Sequence, residues 1–306
     1  MSKSIMIVGP TGKIGKHLVK VLVAEGHDVS GLARFGTPGQ QEELESLGVQ
    51  TYKRDIAEWD ALESIPGEFD IVFHMAGLKF GSTANPPATV NMNVFSTGRV
   101  MEHFKDSGCV LYSSSGNVYP DSVDGCSEED APGAASLYAT TRMGAEWMVE
   151  YFSVRNNTPA VNQRIFYGYN TEFGVPTDIA RQIRDGEPVD LTTSYVNVIW
   201  LDDLMDVMYR SWEVASVPAK YLNLTGTEKV STREIADRLG KLMGLEPKFK
   251  GTPNEEALLG KTDEMVRLFG QPKVSLDEGL ARIAESVMAR EHPIDHPTMW
   301  ENRTGF

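Results

Sequence analysis

Residues 4–15 read SIMIVGPTGKIG, and the rest of the chain is laid out by how that stretch folds. Ile5, Met6, Ile7 and Val8 form a nearly unbroken apolar run, the composition of a strand buried on both faces of a parallel sheet. Gly9, Gly12 and Gly15 follow, three apart. Ile14, Leu18, Val21 and Leu22 then recur at helical spacing until Gly26, so the unit reads strand, glycine turn, helix. Such a turn aims backbone N–H groups and a helix N-terminus at an anion, and its missing side chains let a pyrophosphate come close. An ordinary tight turn is the alternative; the flanking strand and helix favour a dinucleotide site.

Outward from this unit, strand and helix patterns alternate. Strands are expected at 27–32, 49–52, 70–77, 109–113 and 160–166, with helices at 40–47, 88–107 and 137–156. That alternation predicts an α/β fold, a doubly wound parallel Rossmann sheet with a smaller C-terminal α/β substrate-binding portion. Residues 1–165 are expected to form the dinucleotide-binding domain, with 195–224 returning to it, and 166–194 with 225–306 the substrate-binding portion. At the end of the second strand the acid that usually takes the ribose hydroxyls of NAD is missing, and Arg34 follows Ala33. Together with Lys13 in the glycine turn, Arg34 favours NADP over NAD; a solvated surface arginine is the alternative.

The chain has 306 residues and a net charge of −14, which argues against nucleic acid and anionic membranes as partners. No run approaches the ~20 consecutive apolar residues of a membrane span, and MSKSIMIV lacks the regions of a signal peptide. Cys109 and Cys126 have no metal-ligand spacing, so inert buried thiols in a reducing cytoplasm are expected. No metal site is expected: His292 and His296 lie four apart, but Pro293 breaks the helix that would pair them. Ser231 and Ser275, each followed three residues later by glutamate, predict helix N-termini.

The GxxGxxG spacing resembles the short-chain dehydrogenase/reductase superfamily, especially its extended branch of sugar epimerases and dehydratases. The resemblance runs from Ile5 to about Met288 through several elements in order. It implies cofactor contacts from Thr11, Lys13 and Ile14 beside the glycines, and from Asp55 and Ile56, which are similar to an Asp-Leu pair beside the adenine ring. Met75, Ala76 and Gly77 in HMAG resemble the HxAG element that shapes the cofactor site, and Lys79 in AGLK stands where family epimerases contact phosphate. Asn93 in NMNVFSTG, Ser113 in SSSGNVY and Phe166 in RIFYG are implied near the cofactor in the same way. By register with Val118 and Tyr119, Ser115 is the expected catalytic hydroxyl.

Where the superfamily has YxxxK, this chain has Tyr138 and Arg142. These are i and i+4 on one helix, hence neighbours. The resemblance makes Tyr138 the general acid/base, Ser115 the hydrogen-bonding partner of the reacting oxygen, and Arg142 the cation beside the phenol. Two further departures bear on substrate. Tyr167 replaces an asparagine, and Val196 replaces the arginine that grips a diphosphate in sugar-nucleotide enzymes. The expected function is therefore NAD(P)-dependent oxidoreduction or epimerisation of a small sugar-like substrate. The alternatives are a nucleotide-sugar epimerase or dehydratase, and a non-catalytic nucleotide sensor similar to NmrA-like proteins. Trp147, Met148, Tyr151 and Phe152 are expected to pack into the core or into a homodimer interface formed by helices 88–107 and 137–156.

Overall fold

The apolar run at the N-terminus becomes β1 (Ser4–Val8), in which Ile5, Met6, Ile7 and Val8 are completely buried. The structure is a computed structural model that describes residues 1–292, 298 and 300. Past the glycine turn come α1 (Lys13–Ala24), β2 (Asp28–Ala33), α2 (Gln40–Ser46), β3 (Gln50–Lys53) and β4 (Ile71–His74). Next is a helical rod made of α3 (Pro86–Val90), a π-helical turn Asn91–Phe95 and α4 (Ser96–His103). β5 (Val110–Ser115), α5 (Leu137–Asn156) and β6 (Ala160–Ile165) complete the first part.

The second part holds β7 (Tyr167–Tyr169), α6 (Val175–Asp185), β8 (Pro188–Asp190), β9 (Tyr195–Val196), β10 (Val198–Trp200) and α7 (Leu201–Arg210). It continues through β11 (Lys220–Leu224), β12 (Val230–Ser231), α8 (Thr232–Met243), β13 (Lys248–Lys250), α9 (Asp263–Phe269) and α10 (Leu276–Ala289).

Seven strands form one parallel sheet in the order β3, β2, β1, β4, β5, β6, β11. Chain order reverses between β1 and β4, and the crevice above their carboxyl ends is where such sheets take ligands. Leu18 and Leu22 of α1 pack with Leu204 and Met208 of α7 on one face. Val100, Met101, Ala145 and Val149 cover the other from the rod and α5. Ile179, Leu239 and Ile283 knit α6, α8 and α10 into a separate apolar cluster.

The rod differs from the helix expected at 88–107. It starts at Pro86, whose fixed φ and missing N–H suit a first turn, with the Asn85 side chain accepting from Ala88 N at 3.2 Å. It ends at His103, because Phe104 leaves helical geometry and Ser107 turns back to its carbonyl. Ser231 and Ser275 cap α8 and α10 by accepting from Glu234 N at 3.0 Å and Glu278 N at 3.3 Å. Both thiols are free and buried, and burial pushes Cys109 up to about 12. Among the described residues no helix is long and apolar enough to cross a membrane, and no cluster of His, Cys, Asp or Glu could hold a metal ion. His292 lies 3.3 Å from the Thr171 hydroxyl; Pro293 and His296 lie outside the described residues.

Candidate active site

The glycine turn closes on the sheet through Gly9, which donates to Leu32 O at 2.9 Å while Val8 O accepts from Met75 N and Ala76 N. Gly9 has φ +96°, and a Cβ there would sit 2.6 Å from Ala76 N, so only glycine fits. Gly12, by contrast, precedes α1 with open space where a side chain would be. The turn thus presents a helix N-terminus and bare backbone to a cavity of about 190 Å³. Gly9, Thr11, Gly12, Arg34, Asp55, Ile56, Met75, Ala76 and Gly77 all line it. These residues fit a dinucleotide: a phosphate cradle at one end and the ends of β2 and β3 at the other.

Other expected cofactor residues sit elsewhere. Gly15 is buried against the turn's own backbone, and Ile14 packs on the apolar core. Lys13 faces a neighbouring groove, 5.3 Å from the Phe173 ring. Asn93 is fully buried in the π-helical turn, where its amide binds both backbone groups of Leu78, at 2.7 and 3.0 Å, and the Thr141 hydroxyl. It holds the loop that carries Lys79. Ser113 is buried beneath the strand end, and the Phe166 ring lies between Gly116 and Gly260, where no side chain would fit.

The chemistry-bearing groups converge at the carboxyl end of β5. Ser136, two residues before Tyr138, caps α5 by accepting from Ala139 N. Arg142 donates from Nε to the Tyr138 hydroxyl at 3.2 Å and from Nη1 to the Tyr112 hydroxyl at 3.0 Å. Ala76 O lies 3.5 Å from the same Nη1. A Cβ on Gly77 would stand 2.6 Å from Nη1, so the loop that lines the dinucleotide cavity also forms the wall of the guanidinium's slot. Ser115 accepts from Asn117 N and Nδ2 at 3.2 and 3.1 Å, which uses its lone pairs and leaves its one proton for the Tyr138 oxygen it also binds.

Burial alone would raise the Tyr138 phenol. The charges of Arg142 and then Lys79, with hydrogen bonds from Arg142 and Ser115, outweigh it and hold the phenol below its ordinary value. Lys79 stands 5.9 Å from the Tyr138 ring centre. Tyr112 goes the other way: full burial pushes it up to about 12 despite Arg142. His74 packs on Tyr112 with ring centres 5.3 Å apart and is lowered to about 3, first by burial and then by Arg142. It is neutral at physiological pH.

One face of α5 carries this arrangement inward. Tyr138, Arg142, Glu146 and Glu150 recur every fourth residue, so they form a stripe. Glu146 accepts two bonds from Arg164, at 2.9 and 2.8 Å, and one from Ser114 at 2.6 Å; Glu150 accepts from Tyr221 at 2.7 Å. The outward face holds exposed Trp147, Tyr151 and Val154, and Met148 and Phe152 are half-buried against the rod. Of the two expected places for Trp147 and Tyr151, this chain's core is excluded by their exposure, since the inward side of α5 is taken by Ala145 and Val149 together with the polar stripe.

Sequence reasoning missed Tyr112 and Arg54. Tyr112 carried a usable signal, since strand alternation puts residues 112 and 114 on the same face, the one α5 covers. Arg54 is brought beside Arg34 by the register of Ala33 with Lys53, and both line the cavity rim. Val196, at the expected arginine position, is completely buried in the second apolar cluster and pairs with Val230.

A sequence model described as the NAD dependent epimerase/dehydratase family matches residues 5–220. The UDP-glucose 4-epimerase of Mycolicibacterium smegmatis is 29% identical over 313 residues, covering 92% of this chain and 97% of that protein. Among solved structures, a point mutant of the UDP-glucuronic acid 4-epimerase from Bacillus cereus, in complex with UDP-4-deoxy-4-fluoro-glucuronic acid and NAD, superposes with a TM-score of 0.81 at 21% identity, covering 94% of this chain and 99% of that one. MoeE5 in complex with UDP-glucose and NAD gives 0.76 at 25% identity over the same shares.

Proposed function

The chain belongs to the NAD dependent epimerase/dehydratase family, and we propose that it is a nicotinamide-dependent enzyme that epimerises or dehydrates a nucleotide sugar through transient oxidation of a ring carbinol. The Arg142 to Tyr138 contact at 3.2 Å, against a loop shared with the dinucleotide cavity, carries the proposal. When bound, the dinucleotide supplies the hydride acceptor and donor. Gly9, Gly12 and α1's N-terminus would hold its phosphates, and Asp55 and Ile56 its adenosine end. Tyr138 takes the hydroxyl proton as the carbon is oxidised and returns it when the carbonyl is reduced, while Ser115 orients the oxygen. Arg142 keeps its own proton at any working pH. A site that takes the hydroxyl proton and returns it to the same oxygen suits epimerisation, in which the carbonyl is reduced again and no net proton is released.

The relatives' names support nucleotide sugars and put that class ahead of the small-sugar substrate expected from sequence. The small polyhydroxylated substrate remains as a second reading on one observation: Val196 is buried among apolar side chains and offers a diphosphate nothing. For the cofactor, the exposed Arg34 at the cavity rim supports a preference for NADP. The exposed Trp147, Tyr151 and Val154 support a homodimer through α5 and the neighbouring rod.

Mass spectrometry of dinucleotide retained on purification, followed by turnover of UDP- and dTDP-sugars monitored by NMR, tests the proposal. Product epimers or 4-keto sugars are expected, and Tyr138→Phe should abolish them. Turnover only of free sugars or sugar acids selects the second reading; full activity of Tyr138→Phe removes the mechanism.

A further inference from the structure

Arg142 carries a charge that the fold buries, and the acceptors around it are two phenols and a backbone carbonyl, with no carboxylate among its bonds to the described residues. A buried guanidinium draws ionisation onto whichever neighbour can best become an anion. The two phenols are nearly equivalent in distance, with the guanidinium carbon 5.4 Å from the Tyr112 ring centre and 5.5 Å from that of Tyr138. Their other surroundings are not equivalent.

We propose that Tyr112 is a positioning residue: its neutral hydroxyl holds Nη1 of Arg142, and thereby keeps Nε and the charge of the guanidinium on Tyr138. Arginine's planar fork is what allows this, since it binds two oxygens at fixed geometry where a lysine ammonium acts as a point charge. Tyr112 is completely buried on β5 and backed by neutral His74 from β4, with Glu146 one turn along α5 adding negative charge nearby. Burial first, and then the negative charge of Glu146, oppose ionisation of Tyr112. Tyr138 faces Lys79 from the loop after β4 and Ser115 from β5 in addition to Arg142, and each of these favours its anion. One guanidinium therefore serves a phenol that ionises and a phenol that does not, and paired groups driven apart in this way divide the roles of base and support. Without the Tyr112 hydroxyl, Nη1 keeps, among the described residues, Ala76 O at 3.5 Å, and the fork is free to turn toward it and away from Tyr138.

The proposal rests on Tyr138 being the base of the proposed function, and ultraviolet difference titration of the substrate-free protein tests the two separately. Ten tyrosines are present, and one is expected to ionise clearly below the others. Tyr138→Phe should remove that transition. Tyr112→Phe, which keeps the ring packed on His74, should retain it but raise it by about one pH unit, tenfold in the ionisation equilibrium. In an Arg142→Lys background, adding Tyr112→Phe should move it by less than about a third of that, because the ammonium has no second arm to hold. With a substrate in hand, kcat should fall in Tyr112→Phe while KM stays the same. An early transition lost in Tyr138→Phe but unmoved by Tyr112→Phe overturns the positioning role alone. Equal shifts in both backgrounds also overturn it, since the hydroxyl then acts through packing. Absence of any early transition in the wild type removes the base assignment beneath it.

Discussion

Tyr138 and Arg142 lie one helical turn apart, and that spacing sets the first expectation for activity. The guanidinium holds the phenol below its ordinary value against the effect of burial. In the oxidative direction the phenolate is the active form, so rate rises as pH climbs through the tyrosine's pKa. Arg142→Met removes the principal charge favouring the anion, and the acid limb of the kcat/KM profile should move to higher pH by at least about one unit. An unmoved limb would assign the limb to another group. Arg34 carries the second expectation. It stands exposed at the rim of the dinucleotide cavity, so Arg34→Ala should weaken NADP about tenfold and leave NAD within about twofold, as expected for one lost charge-assisted contact to a 2′-phosphate. Fluorescence titration of both cofactors decides, and equal losses would make Arg34 a general surface charge.

At the scale of elements, α5 turns Tyr138, Arg142 and Glu146 toward the sheet beside Ala145 and Val149. Glu146 and Arg164 form a nearly fully buried pair at 2.8 Å, with side-chain exposures of 1% and 4%. Breaking such a pair leaves one charge buried without its partner, so Glu146→Gln should cost about 3 to 5 kcal/mol in denaturant unfolding. Ser275→Ala, which removes the cap of α10, should cost only about 1 kcal/mol. Comparable losses in the two variants would mean that the Tyr119 hydroxyl, which also accepts from Arg164, compensates for the missing charge. The caps were legible in the sequence because an N-cap and its third residue are chain neighbours. The Glu146 pair was not, since its partners lie 18 and 32 positions away.

For the whole molecule, α5 leaves Trp147, Tyr151 and Val154 exposed at 55%, 59% and 57%. Single exposed apolar side chains need no explanation, whereas two aromatics and a valine together on one helix support the proposed dimer. Trp147→Glu combined with Tyr151→Glu should convert the proposed dimer to a monomer in sedimentation velocity, with the α5 active-site stripe left intact. A monomeric wild type would refute the dimer. What the sequence determined by itself was whatever depends on near neighbours: the apolar run of β1, the three glycines, the alternation of strand and helix, and Tyr138 beside Arg142. Periodicity and i, i+4 spacing are local properties, and they survive without knowledge of the packing. The tertiary structure alone decided which side chains from separate strands share a pocket. The register of β2 with β3 put Arg54 beside Arg34, the packing of α5 on β5 gave Arg142 a second phenol, and pairing of β9 with β12 buried Val196. Those contacts join positions distant along the chain, and strand register and layer packing, which the sequence records only collectively, bring them together.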